Sequence, residues 1–324
     1  MNKKNISNIL RVSVSAVLIG FLFWKMRGNL GQAFRNIISA DWWILILATL
    51  INILNSCFMG YRLKKIMAVQ NIDLSLKETS SLTFIGYFFN NFLPTSIGGD
   101  VAKAYYAVQK SKKPTESYTS IFLDRAIGMS TMGLIAFVPL FFLKQHGIDK
   151  IAYIAVSLLM GGSIFIFLVI WNRTIALKLR FLSRFANLVG IHSHAKKAYD
   201  CLHGYIKHKK VLLNVFVCSL LMQIIFITVI YLLARSIHVN VPILNFFLIV
   251  PITGAVSMLP SLGGLGLRES AFVYFFKNMM APDKAFAVSM LWLFQLFVLS
   301  LIGGLLQLFK FHVKVEAKEL EDIQ

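Results

Sequence analysis

Leu93-Pro94-Thr95-Ser96-Ile97-Gly98-Gly99-Asp100-Val101-Ala102-Lys103 breaks an apolar run at 81–108, and Leu259-Pro260-Ser261-Leu262-Gly263-Gly264-Leu265-Gly266-Leu267-Arg268-Glu269 breaks a second at 242–277. Each break reads Leu-Pro, a hydroxyl residue, Gly-Gly and then a cation. The two prolines stand about half the chain apart. Proline removes a backbone donor and glycine loosens the chain, so neither segment sustains a helix. In hydrocarbon each backbone group freed by such a break costs several kcal/mol if left dry, so the break survives only against protein or a water-filled cavity. Paired interruptions in the two halves of a membrane chain point to an inverted repeat with a central site.

The rest of the chain supports a membrane setting. Hydrophobic residues make up 57% of the 324, mean hydropathy is +0.70, and soluble domains run at roughly 45–50% apolar. A hydrocarbon core of about 30 Å needs about 20 helical residues. Runs of that kind lie at about 8–24, 42–61, 118–143, 151–171, 211–235 and 284–309, with Trp42 and Trp43 as an interfacial belt. The run at 8–24 has Lys3 and Lys4 before it and Arg11 near its start, and no small-residue cleavage site follows it, so it reads as a retained anchor rather than a signal peptide.

The net charge of +19 gathers in loops between apolar runs. That placement fits the positive-inside rule and anionic headgroups better than nucleic acid. The basic segment 172–210, with nine Lys and Arg against Asp200, goes to the cytoplasm, as do 62–77 and 103–113. The sparsely charged loops 144–150 and 236–241 go outside. The expected fold is therefore an all-α integral membrane protein of about six full spans plus two broken re-entrant hairpins. They form an inverted repeat in the cell (inner, cytoplasmic) membrane with both termini cytoplasmic. Residues 1–310 are read as one membrane domain, with halves about 1–171 and 211–310 joined by 172–210, and 311–324 as a charged tail. The loop 25–41 carries Lys25, Arg27 and Arg35 on the outer side and fits the rule poorly. Segment 175–189 has an amphipathic helical pattern suited to the cytoplasmic leaflet or to packing on the bundle.

Chemistry gathers at the breaks. Asp100, Lys103, Arg268 and Glu269 are ionisable residues in apolar surroundings, and Asp124-Arg125 is a third such pair. A charge at the bilayer centre costs roughly 2.5–3.5 kcal/mol on insertion scales, so each needs a partner or a wet cavity. Glycine-rich turns and helix N-termini attract anions. The candidate binding residues are Asn90, Asn91, Pro94, Ser96, Gly98, Gly99, Asp100, Lys103, Asp124 and Arg125 in the first half. In the second half they are Pro260, Ser261, Gly263, Gly264, Gly266, Arg268 and Glu269. Two readings stay open: a site for a lipid phosphate, or internal ion pairs that fix packing. Asn90 and Asn91 either line the cavity or cap the broken helix. Five of the histidines lie in loops or the basic segment without metal-ligand spacing. Cys57, Cys201 and Cys218 make neither a disulfide framework nor a zinc site. No nucleophile motif, P-loop or dinucleotide fingerprint occurs, and neither a catalytic residue nor a metal or cofactor is assigned.

With Asn91 to Asp100, Asp124-Arg125 and Leu259 to Glu269 in view, the sequence resembles the flippase-like family that includes the transmembrane region of lysylphosphatidylglycerol synthase, the multiple-peptide-resistance factor. The resemblance covers nearly the whole chain. It implies a bacterial or archaeal membrane domain that moves a lipid between leaflets. The aminoacyl transfer of the full synthase is not carried over, because the chain runs only about fifteen residues past its last span. The expected partners are membrane lipids, either anionic phospholipids or polyprenyl-phosphate-linked ones, with a second copy or a separate biosynthetic enzyme as further partners. The rival readings are a membrane transferase with Asp100, Asp124 or Glu269 as base, and a non-catalytic scaffold of an envelope complex.

The topology is directly testable. Single cysteines at His146 and Lys196 should differ in intact cells, with an impermeant maleimide reaching His146 and sparing Lys196. The reverse pattern overturns the assignment of sides.

Overall fold

A computed structural model describes residues 30–92, 98–143, 150–172, 192–259, 261 and 263–310. The expected span at 8–24, the segment 175–189, His146, and Pro94, Ser96 and Pro260 lie outside the described residues. The described chain is helical: α1 (Leu30–Ile38), α2 (Trp42–Val69), α3 (Leu76–Phe92), α4 (Gly98–Ser111), α5 (Pro114–Leu143), α6 (Lys150–Trp171), α7 (His192–Gly204), a 3₁₀ turn (Tyr205–His208), α8 (Lys209–Ser236), α9 (Ile243–Val256), α10 (Leu267–Phe276) and α11 (Pro282–Lys310). Five stretches among the described residues are long and apolar enough to cross a membrane: Trp42–Val69, Pro114–Leu143, Lys150–Ile170, Lys196–Ser236 and Pro282–Phe309. They match five of the six expected spans. Their outer faces carry large apolar side chains in the open, such as Trp43 at 80% and Leu158 at 71% exposure, as a lipid-facing surface requires.

One boundary needs correcting. Arg62, Lys64 and Lys65 are not in a loop, because α2 runs on to Val69. Asp41 starts that helix by accepting from the N–H groups of Trp43 and Ile44, the usual work of an N-cap aspartate.

The long helices fix the two ends of the bundle. The Asp41 N–H bonds the Ser236 carbonyl at one end, and the Tyr205 hydroxyl donates to the Ile66 carbonyl at the other. Helices α2 and α8 therefore run antiparallel. The second end is the basic one, carrying Lys64, Lys65, Lys110 and Lys113.

Both apolar runs with central breaks are indeed two helices each. In the first, α3 and α4 lie antiparallel in one register. Lys110 pairs with Glu78 at the mouth, a Cβ on Gly86 would meet the Lys103 side chain, and a Cβ on Gly99 would meet Asn90. The Lys110 ammonium beside Glu78 holds that carboxyl down at about 2. In the second, Phe246 packs on Phe276 with ring centroids 4.8 Å apart, and a Cβ on Gly264 would meet Ser257, so α9 and α10 also run antiparallel. The first pair opens at the basic end, where Lys113 Nζ donates to the Asn71 carbonyl. The second opens at the opposite end, where Phe246 meets Tyr231 of α8.

Packing between the halves is reciprocal. Helix α3 packs on α11 while α9 packs on α5, and α4 packs on α5 while α10 packs on α11. Small residues permit the close approaches: a Cβ on Gly303 of α11 would stand 2.0 Å from the Phe84 carbonyl oxygen of α3. Such small-residue contacts replace the hydrophobic driving force that is missing between helices in lipid.

Candidate functional site

Where the two broken pairs meet α2, α5, α8 and α11, they line a partly open cavity of about 330 Å³. Three long helices each contribute one stripe at helical spacing. These are Asn55, Met59 and Arg62 from α2, Asp124, Gly128 and Met132 from α5, and Ser219, Gln223 and Phe226 from α8. The first broken pair supplies Asn90, Asn91, Asp100 and Lys103, and the second supplies Gly263 and Arg268. Trp292 and Leu296 of α11 close the wall. Asp124 sits ten residues inside α5, roughly 15 Å along its axis, so the charged groups lie past the first turns of that helix rather than at its tip.

Each charge has a built partner. The Arg62 guanidinium is bidentate on Asp124, with Nε at 2.7 Å from one oxygen and an η nitrogen at 2.9 Å from the other. Its second η nitrogen donates to Ser219 Oγ at 2.9 Å. Asp100 is shared between Lys103, at 3.3 Å, and Arg125. Arg268 and Glu269 are both 2% exposed, with Arg268 Nε donating to Glu269 Oε1 at 3.0 Å. The Arg268 guanidinium also lies 5.4 Å above the Trp292 ring, a cation–π placement. Counting Glu269 behind the wall, four cations face three carboxylates, leaving one net positive charge.

The breaks are closed by their own side chains. Asn90 Oδ1 accepts from the Gly99 N–H at 2.8 Å, and Glu269 Oε2 accepts from the Gly266 N–H at 2.7 Å. Those two N–H groups are therefore occupied, and neither is the anion donor that the glycine-rich sequence suggests. Asn90 both lines the cavity and caps α4. Asn91 lines it too and donates to the Leu296 carbonyl at 3.3 Å. Gly266 has φ +81°, a left-handed conformation that favours glycine. At Gly99 the need is space, because a Cβ would stand 2.2 Å from the Gly86 carbonyl oxygen.

Of the expected site residues, Asn90, Asn91, Asp100, Lys103, Asp124, Arg125, Gly263 and Arg268 come together on one cavity. Gly98, Gly99, Gly264, Gly266, Ser261 and Glu269 shape or brace its walls without lining it. Ser261 is fully buried and donates to the Leu259 carbonyl. The neighbours Asp124 and Arg125 do not pair with each other as the sequence suggests: successive helical residues point in different directions, so Asp124 takes Arg62 and Arg125 takes Asp100. The lining residues that sequence reasoning missed include Asn55, Arg62, Tyr87, Ser219, Gln223 and Trp292, with Met59, Met129, Met132, Met222 and Met258. The spacing Asn55, Met59, Arg62 was the available signal, a polar stripe inside an apolar helix.

Residues 8–304 match the family described as the lysylphosphatidylglycerol synthase TM region. The chain belongs to that family. It is a multi-pass membrane protein of a lipid-related class, in keeping with its apolar helices. The search of curated proteins gave no match.

The pairing at the second break carries its own expectation. Glu269→Gln leaves the buried Arg268 without a counter-charge and should destabilise the protein by about 3–5 kcal/mol, read as a lower Tm in detergent. Arg268→Met combined with Glu269→Gln should recover much of that loss. Equal losses in the single and double variants would show that the two charges do not depend on each other.

Proposed function

We propose that the chain binds the phosphate of an anionic or polyprenyl-phosphate-linked lipid headgroup in this cavity and helps the lipid pass between leaflets. The observation that carries the reading is the meeting of both broken helix pairs at one cavity with a net positive charge. A charged headgroup loses its water in hydrocarbon, and that loss is the barrier to crossing. A cavity that offers a few charged and polar groups to the headgroup lowers the barrier while the acyl chains stay in lipid. In this reading the two broken pairs are re-entrant hairpins from opposite faces, related as an inverted repeat; the reciprocal packing of the halves and the opposite directions of the two mouths support it. The basic end faces the cytoplasm of a cell (inner) membrane, with both chain termini on that side, in line with the loop charges. A second copy or a lipid-synthesising enzyme remains a further partner in this reading.

Lys103 is the cation to test, because its partner Asp100 keeps Arg125 when Lys103 is removed. In liposomes holding the purified full chain, movement of a fluorescent anionic phospholipid should fall about tenfold or more in Lys103→Met. The variant should still elute as a monodisperse, folded species. Undiminished movement in Lys103→Met and in Arg125→Met would remove lipid transport by this cavity. A folded wild-type chain that moves no lipid at all would favour the scaffold reading.

A further inference from the structure

We infer that a groove between α2 and α11 binds an acyl chain of a membrane lipid, and that this seam is the route by which a lipid with its phosphate in the cavity keeps that chain in the bilayer; the route rests on the headgroup reading above. Helix α3 comes from the basic end and packs on both α2 and α11. Its Ser80 lies against Gly60 of α2, and its Phe84 against Gly303 of α11. It stops at Phe92, where Asn91 reaches the Leu296 carbonyl of α11. Past that level α2 and α11 touch each other only lightly, and a groove of about 180 Å³ lies between them. The groove belongs to the half of the bundle away from the basic end. Both helices start there, with the Asp41 N–H on the Ser236 carbonyl and Lys284 Nζ on the His238 carbonyl.

The chemistry of the groove names its occupant. Trp42, Ile46 and Leu50 line it from α2, and Leu291 and Phe294 from α11. All but Leu291 are exposed, on a face that meets lipid. Apart from the Trp42 indole, the polar side chains of the groove are Thr49 and Gln295, and these are turned to protein. Gln295 Nε2 donates to Thr49 Oγ1 at 2.7 Å, and Thr49 Oγ1 donates to the Leu45 carbonyl at 2.7 Å. Gln295 Oε1 accepts from Asn52 Nδ2 at 3.4 Å. What the groove offers an occupant is therefore apolar surface, and Trp42 at its mouth suits the level of the headgroups.

The same hydrogen bonds divide the groove from the cavity. On the wheel of α2, Asn52 falls between Leu45 and Thr49, which line the groove, and Asn55 and Met59, which line the cavity. On α11, Gln295 stands beside Trp292 and Leu296, which line the cavity. The Asn52–Gln295 contact thus closes the seam. Hydrogen bonds between helices in a membrane are individually weak, so a lipid can part this one. In the basic half, α5 and α8 are tied instead through Arg62, which bonds Asp124 and Ser219. That charge-assisted bridge is the stronger of the two, which leaves α2–α11 as the lighter seam.

The test uses the full chain in liposomes that contain phosphatidylglycerol with a diazirine in one acyl chain, with adducts mapped by mass spectrometry. Leu50, Leu291 and Phe294 should take up label severalfold over Leu158, a lipid-facing leucine of α6. Ile46→Trp, which fills the groove from its rim, should remove that excess, and Leu50→Trp stands in if it does not fold. For the route, Cys57, Cys201 and Cys218 are replaced by alanine, and Asn52→Cys and Gln295→Cys are joined in the folded protein by a short bismethanethiosulfonate. Movement of phosphatidylglycerol should fall about tenfold against the same variant left unjoined, a barrier rise of about 1.4 kcal/mol, and return on reduction. Label in the groove no greater than at Leu158 overturns the acyl site, and so does an unlabelled groove, the result that a second copy or another segment of the chain seated there would give. Undiminished movement after full cross-linking, with Lys103→Met still impaired, overturns the route alone. No movement by the unjoined chain overturns the headgroup reading and the route together.

Discussion

A helix that stops inside hydrocarbon leaves backbone groups with no water to bond, and the rest of this structure depends on how that is resolved. The two breaks use one device. A polar side chain of the same broken pair, Asn90 in the first and Glu269 in the second, accepts from a backbone N–H where the next helix begins. The rest is a matter of enclosure: α2, α5, α8 and α11 pack around the helices of the two broken pairs. Close packing is the condition for that enclosure. It accounts for Gly303 against Phe84 and Gly60 against Ser80, where a side chain has no room.

Enclosure then dictates the electrostatics. Beside the breaks the ionisable residues are largely withdrawn from the surface, and each is matched by an opposite charge, from another helix or from its own. Arg62 links α2 to α5 and α8, Arg125 links α5 to α4, and Arg268 with Glu269 braces the start of α10. These pairs are weak grounds for claiming stability, since desolvation offsets much of their attraction. Their arrangement around an open chamber, with one positive charge in excess, matters more. A core built only for packing would have filled that space, whereas here it stays open and five methionines line it, an adaptable wall suited to an irregular occupant.

The helical membrane architecture and the two breaks were legible in the sequence because each rests on local properties: apolar run length, Pro and Gly punctuation, and charges out of place. Five expected spans and both interruptions recur at nearly the expected boundaries. The partners of the charges were not legible. Arg62 sat just past the apolar window ending near Tyr61 and read as loop, although the helix carries it to a bidentate contact with Asp124. Asp124-Arg125 read as a pair because it is contiguous, yet adjacent helical residues diverge. Asn55, Gln223 and Trp292 come from three helices distant in sequence, and only tertiary packing puts them on one wall. The glycine-rich turns suggested free anion donors, but two of those donors are taken by the chain itself.

The most direct test of a phosphate-binding chamber is a structure of the full chain in nanodiscs rich in anionic lipid, refined well enough to show bound headgroups. A phosphate within hydrogen-bond reach of Lys103 or an arginine of the cavity, with its acyl chains leaving between helices into the bilayer, is the expected result. A chamber occupied only by acyl chains, with every charge still held by its present partner, would contradict it.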